Sequence, residues 1–340
     1  MTGLHETQSP YLSVKNLTVA FELGGGRRLT AVHDISFDVG RGEIVGVVGE
    51  SGSGKSMLAK AILQLVPPPG RITQGSIRIR GTDLLRYSDE EMRLRVRGTE
   101  VSMIFQEPLS ALNPSFSIRW QIEEVYKLHT RDDRKTRRAK AIDLLRRVSI
   151  PDPERRIEEY PHQFSGGMQQ RVLIAIALAA NPKLLIADEP TTALDVTVQA
   201  DIMDLLEDMR RATGLAILLI SHNLNLITER SDRIMVLYAS ELMEMGPSGR
   251  IAEHPLHPYT IGLMNSVPDI DVENQKITAI PGEMADLSQR STGCVFRPRC
   301  PMAMEVCARV APELREVEPN HFCRCHLFGA GAPAEVRHAG

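Results

Sequence analysis

Cysteine is absent from the first 293 residues, and all five cysteines of the chain fall between positions 294 and 325. A disulfide framework running through the chain is therefore excluded. In a reducing compartment such clustering points to a metal centre before it points to disulfides. Long apolar runs are also missing. The longest, residues 172–180 and 215–220, stop well short of the roughly 20 residues needed to span a bilayer, so any work at a membrane would leave the crossing to other subunits. Charge of one sign is scarce as well: a formal net charge of -3 supplies no global field toward nucleic acid, and a polyanion would have to be held by a local site. Residues 1–10 have neither a basic start nor an apolar core, which predicts no secretory signal and a cytosolic protein. No internal repeat or low-complexity tract is evident.

What is present suits a globular protein of two or three domains: 340 residues, 42% hydrophobic and 24% charged, enough to bury a sizeable core. Leu12, Val14, Leu17, Val19 and Phe21 alternate except for a slip at Lys15 and Asn16, which predicts two short strands or one bulged strand. Residues 44–48 form an apolar run entering a glycine-rich turn, and helical spacing follows over 55–65. Further buried strands are predicted at 183–187 and 215–221. Between them Val198, Ile202, Leu205, Leu206 and Met209 share a helical face, an alternation that predicts parallel α/β topology. The arginine-rich stretch 131–159, built around Ala139, Ile142, Leu144 and Leu145, reads as helices with solvated charged faces. After Gly246 the texture turns to histidine, proline and glycine, and a domain boundary is placed there.

Gly49, Glu50, Ser51, Gly52, Ser53, Gly54, Lys55 and Ser56 fit the pattern G-x-x-x-x-G-K-S/T, after a strand and at the opening of a helix. Glycines let backbone N–H groups turn inward as an anion nest, Lys55 reaches the outer phosphates, and the Ser56 hydroxyl ligates Mg²⁺. ATP or GTP is the expected ligand. Residues 183–189 end an apolar strand on two acids, Asp188 and Glu189. In a P-loop protein the first holds the Mg²⁺ shell and the second polarises the attacking water.

Phe164, Ser165, Gly166, Gly167, Met168, Gln169, Gln170 and Arg171 resemble the signature motif of ABC ATPases, with Phe164 and Met168 as departures from the usual Leu-Ser-Gly-Gly-Gln. Gln106 resembles the Q-loop glutamine, a ligand of Mg²⁺ and a relay to membrane subunits. Thr192, Ala193, Leu194 and Asp195 resemble the D-loop, His222 the switch histidine at the γ-phosphate, and Phe21 the aromatic that stacks on adenine. The resemblance implies a P-loop cassette of the α/β class with an N-terminal antiparallel β subdomain. It also implies a head-to-tail dimer in which each signature closes on the ATP of the partner. On this basis residues 11–246 are the ATPase domain, with a helical subdomain at about 107–166. Residues 247–328 are a small Cys-rich extension, and 329–340 are expected to be a disordered tail. Asn223 stands where relatives commonly carry Asp, and Ser240 where Gly is usual.

Residues 106–114, the His257-Pro258-Tyr259-Thr260 run with Leu263 and Pro268, the Ile280-Pro281-Gly282 run, and Arg297-Pro298-Arg299-Cys300-Pro301 resemble the dipeptide, oligopeptide and nickel importer branch. Membership implies an ATPase at the cytoplasmic face of the bacterial inner membrane. Its expected partners are a paralogous ATP-binding subunit or a second copy, two permeases and an extracytoplasmic solute-binding protein. Peptide is the expected cargo, with nickel or another small solute as the alternative and a non-transport ATPase of DNA repair as a remote one. Cys294, Cys300, Cys307 and Cys325 match the branch pattern. Their spacing, C-x5-C-x6-C-x17-C, does not choose between iron–sulfur and zinc. The resemblance favours a 4Fe-4S cluster that staples the extension, with Cys323 as an alternative ligand or a free thiol.

Overall fold

A computed structural model describes residues 9–105, 111–192, 194–266, 279–285, 287 and 292–329. The strands in chain order are β1 (Leu12–Glu22), β2 (Arg28–Val39), β3 (Ile44–Val48), β4 (Gly70–Ile79), β5 (Thr82–Asp83), β6 (Val101–Ile104), β7 (Leu184–Asp188), β8 (Ala216–Ser221), β9 (Arg233–Tyr238), β10 (Glu241–Pro247), β11 (Arg315–Glu318) and β12 (His321–Cys323). The main helices are α1 (Lys55–Ile62), α2 (Ile118–His129), α3 (Arg134–Arg147), α4 (Gly166–Leu178), α5 (Val196–Thr213), α6 (Leu224–Arg230) and α7 (Pro258–Asn265). They fall into two compact units, each discontinuous in sequence. Among the described residues, the first gathers those of 9–11, 39–43 and 83–218; the second gathers those of 12–38, 44–82 and 219–329.

In the first unit β6 and β7 pair in parallel, Val101 opposite Leu184 and Ile104 opposite Ala187. All five residues of β7 are buried, as expected for a strand covered on both faces. Helix α3 turns Ala141, Leu144 and Leu145 inward, while Ala139 is exposed and Ile142 half-buried. The inward set recurs at i, i+3 and i+4, and that phase leaves Ala139 outside. Its charges pair on the surface, Lys140 with Asp132 at 2.6 Å and Arg146 with Glu154 at 2.6 Å, in keeping with solvated faces. Helix α5 buries Ile202, Met203, Leu205, Leu206 and Met209.

In the second unit β1 and β4 pair antiparallel, Leu12 opposite Ile79 and Phe21 opposite Gly70, in a sheet ordered β2-β1-β4. The slip at Lys15 and Asn16 is a bulge within one strand, with Asn16 at φ 48°. Strand β3 pairs in parallel with β9, and β9 turns back into β10. The last strands belong to this sheet too: β12 pairs antiparallel with β10, Glu244 opposite Cys323, and β11 pairs with β12. A fully buried Glu244 secures the junction, accepting from the Leu256 and His257 amides at 2.8 and 2.9 Å and lying 2.7 Å from His321 Nε2. Burial holds His257 down to about pKa 4, so its ring stays neutral against the fold. Among the described residues no helix is long and apolar enough to cross a membrane.

Candidate functional site

The second unit carries the phosphate loop. Strand β3 is buried throughout and delivers the chain to Gly49, where a Cβ would overlap the Leu237 carbonyl. Gly54, the N-cap of α1, sits at φ 102°, and a Cβ there would overlap the Ala31 carbonyl. Only glycine combines that conformation with that approach. No side chain caps α1. Lys55, 5% exposed, donates from Nζ to the carbonyls of Gly49 at 2.7 Å and Glu50 at 2.9 Å, so its ammonium is held inside the loop's curve. The Ser53 hydroxyl is fully buried with no hydrogen-bond partner among the described residues. His222 follows β8 and is exposed, and Asn223 caps α6 by accepting from the Leu226 amide at 3.2 Å. Asn and Asp cap helices about equally well, so this departure keeps the local fold. Ser240 occupies the β9–β10 turn at φ 72° and compensates by donating to the Thr30 carbonyl at 2.6 Å. Phe21 is half-buried at the end of β1, in reach of Gly70.

The first unit carries the other motifs. Asp188, 3% exposed, ends β7. Glu189 follows at φ 49°, a left-handed conformation that a glutamate adopts only when its surroundings impose it, and it accepts from Thr192 Oγ1 at 2.8 Å. Ser165 caps α4, accepting from the Met168 amide at 3.4 Å. Asp195 caps α5, accepting from the Val198 amide at 2.9 Å. The two motifs touch: a Cβ on Gly166 would meet Leu194 at 3.8 Å, and one on Gly167 would crowd Val198 at 2.8 Å. Val196 beside them is 83% exposed.

The ABC transporter family pattern matches residues 32–192, and the pattern of the oligopeptide/dipeptide transporter C-terminal region matches 243–307. A Brucella abortus protein named as a peptide import ATP-binding protein is 47% identical over 304 residues, 89% of this chain and 91% of its own. The dipeptide transport ATP-binding protein DppD of Escherichia coli is 45% identical over 305 residues, 89% of this chain and 93% of its own. The chain belongs to the ABC transporter ATP-binding proteins. Its fold agrees: the ATP-binding cassette MJ0796, solved as a dimer in a post-hydrolysis state with ADP and Pi, superposes at TM-score 0.62 with 28% identity, covering 70% of this chain and 98% of that one.

As an ABC ATPase the protein uses ATP with Mg²⁺, and the residues present suit both. The buried ammonium of Lys55 and the Ser53 hydroxyl, without a partner among the described residues, line a loop shaped for phosphate. Ser56 at the opening of α1 and Asp188 at the end of β7 each carry an oxygen donor of the kind a hard cation takes. Gln106 lies outside the described residues, as do Ala193, Pro268, residues 1–8 and residues 330–340 of the expected tail.

The expected iron–sulfur cluster is corrected. Cys294, Cys300, Cys307 and Cys325 are free thiols, and no group of three or more His, Cys, Asp or Glu side chains among the described residues could hold a metal ion. Burial raises the thiols of Cys294 to about 11 and of Cys325 to about 12, and pushes Cys300 and Cys323 up as well. Neutral thiols are neither ligands nor nucleophiles. Cys323 is a buried residue of β12. The region needs no metal staple because packing orders it: β12 joins β10, and Phe296, 1% exposed, meets Tyr238 edge-on at 5.1 Å and Tyr259 at 5.3 Å.

In the sequence Arg299 stands only as one residue of the Arg297-Pro298-Arg299-Cys300-Pro301 motif, with no role of its own. Its guanidinium makes a bidentate pair with Glu50 of the phosphate loop, at 2.7 and 3.0 Å. The partners lie 249 positions apart, and only the charge of each side chain could have hinted at the pairing.

Proposed function

We propose that this ABC ATPase energises import of di- or oligopeptides from the cytoplasmic face of the inner membrane. It works with a second ATP-binding subunit, paralogous or identical, two permeases and an extracytoplasmic solute-binding protein. The observation that carries this reading is likeness over 89% of the chain to a dipeptide transport ATP-binding protein, together with the matching C-terminal region.

The roles follow the motif chemistry. Gly49, Glu50, Ser51, Gly52, Ser53 and Gly54 wrap the phosphates with backbone groups, Lys55 neutralises the outer two, and Phe21 lies under adenine. Ser56, Gln106 and Asp188 hold Mg²⁺ and its water, Glu189 draws the proton from the attacking water, and His222 steadies the γ-phosphate. Ser165, Gly166, Gly167 and Met168 close on the nucleotide of the neighbouring subunit, with Asp195 at the dimer seam. The exposed Val196 supports a seam there. Within the first unit a cavity of about 520 Å³ is lined by Phe105, Phe116, Trp120 and Leu128, and Phe116 stacks on Trp120 at 3.9 Å. An apolar groove beside the Q-loop position supports docking of a permease helix.

The test is ATP turnover by the reconstituted transporter with its binding protein, titrated with dipeptides, longer peptides and Ni²⁺. Stimulation by peptide alone is expected, and stimulation by Ni²⁺ alone would refute the peptide reading. In the same assay Glu189→Gln should still bind ATP while turning over at least about a hundredfold more slowly, the range for loss of general-base help. Near-normal turnover would place water activation elsewhere.

A further inference from the structure

The geometry points to Arg299 as a positioning residue for nucleotide binding: the C-terminal region holds the phosphate loop in its ATP-ready shape by gripping Glu50. This rests on the phosphate-loop reading above and goes beyond it.

Three groups of Glu50 are engaged at once. Its carboxylate accepts both arms of the Arg299 guanidinium, Nη1 to Oε2 at 2.7 Å and Nη2 to Oε1 at 3.0 Å. Its amide donates to the Tyr259 hydroxyl at 2.9 Å. Its carbonyl accepts from Lys55 Nζ at 2.9 Å. Two of the three holders come from the C-terminal region. Arg299 is itself fixed: its side chain is 5% exposed, Nε donates to the Pro281 carbonyl at 2.9 Å, Nη2 lies 3.3 Å from the Ile280 carbonyl, and the guanidinium lies 5.6 Å from the Tyr238 ring centre. A planar fork locked this way holds a carboxylate in one orientation, which a lysine could not do. The segment it anchors also reaches the loop, since a Cβ on Gly52 would lie 2.9 Å from the Met284 methyl.

A surface ion pair would contribute little. This one differs because Glu50 sits inside the eight-residue loop, between Gly49, whose backbone is pressed against Leu237, and Lys55, whose ammonium bonds to the Glu50 carbonyl. Releasing Glu50 frees the loop to sample shapes that do not fit phosphate, and ATP must then order it on binding. Preorganised sites avoid that cost. The effect falls on affinity, because neither Arg299 nor Glu50 contributes a group to the reacting water.

The test uses the full chain and a fluorescent ATP analogue, with Arg299→Ala, Arg299→Lys, Glu50→Gln, the Arg299→Ala/Glu50→Gln pair and Lys55→Ala. Arg299→Ala and Glu50→Gln should each weaken nucleotide binding about tenfold, in line with the sensitivity of positioned sites to small displacements. In the assembled transporter KM for ATP should rise by the same factor while kcat changes less than about twofold. The pair should be no worse than either single variant, and Arg299→Lys should fall between parent and Arg299→Ala. Should Arg299→Ala fail to fold, Glu50→Gln carries the test alone. Unchanged affinity in Glu50→Gln, or strictly additive losses, would overturn the inference while loss of binding in Lys55→Ala left the phosphate-loop reading standing. Normal binding by Lys55→Ala would overturn both.

Discussion

Two helix N-termini face anion chemistry in this molecule, and they are finished differently. At α1 the cap is Gly54, no side chain serves the helix end, and the nearest cation, Lys55, is turned back into the loop. At α4 the cap is Ser165, whose hydroxyl already reaches the Met168 amide, at the long distance of 3.4 Å. An N-terminus without a side-chain cap leaves its exposed donors to a ligand, whereas a capped one is partly satisfied without a ligand. On the proposed reading the first end holds the chain's own nucleotide, and the second adds a lighter contact to a nucleotide held mainly by another subunit.

Substitutions at the two ends should separate in size and kind. The largest effect belongs to Lys55→Ala: hydrogen bonds to a charged group are worth about 1.5–3 kcal/mol each, so loss of two such contacts should weaken ATP binding by about a hundredfold or more. Titration of the purified chain measures it, and parent-like affinity would remove α1 from the site. Ser165→Ala should act on turnover instead. The cap itself is worth about 1 kcal/mol, so the assembled ATPase should slow about fivefold while the isolated chain keeps its nucleotide affinity. Weakened binding in the isolated chain would erase the distinction between the two ends. The smallest effect is expected at Ser240→Gly, in the turn behind the phosphate loop. Relief of a left-handed residue, about 1–2 kcal/mol, is offset by loss of the Thr30 hydrogen bond, about 1 kcal/mol, so the melting midpoint should shift by no more than a few degrees. A large drop would show that the hydroxyl contributes more than local repair.

Much of this was legible in the sequence because it is local. The bulge at Lys15 and Asn16, the buried strand entering the glycine loop and the acids ending β7 each follow from spacing within about ten residues. The family of the C-terminal region was legible in its motifs, but what orders it was not, since its order comes from long-range contacts. Strand β12 pairs with β10 across Glu244 and Cys323, and the Arg299–Glu50 pair spans 249 positions. Cysteine clustering suggested a metal staple there, but aromatic packing of Phe296 with Tyr238 and Tyr259 and the buried Glu244 network supply the order instead.

The central claim is that a nucleotide held at α1 of one subunit needs α4 of another for hydrolysis. The direct measurement is steady-state ATP turnover per chain, compared between the assembled transporter and a strictly monomeric preparation whose size is followed in the same sample. The account predicts that the monomer binds ATP but turns over at roughly a hundredth of the assembled rate or less, the loss expected when electrostatic stabilisation of the transferring phosphoryl group is missing. Full turnover by the monomer would contradict it.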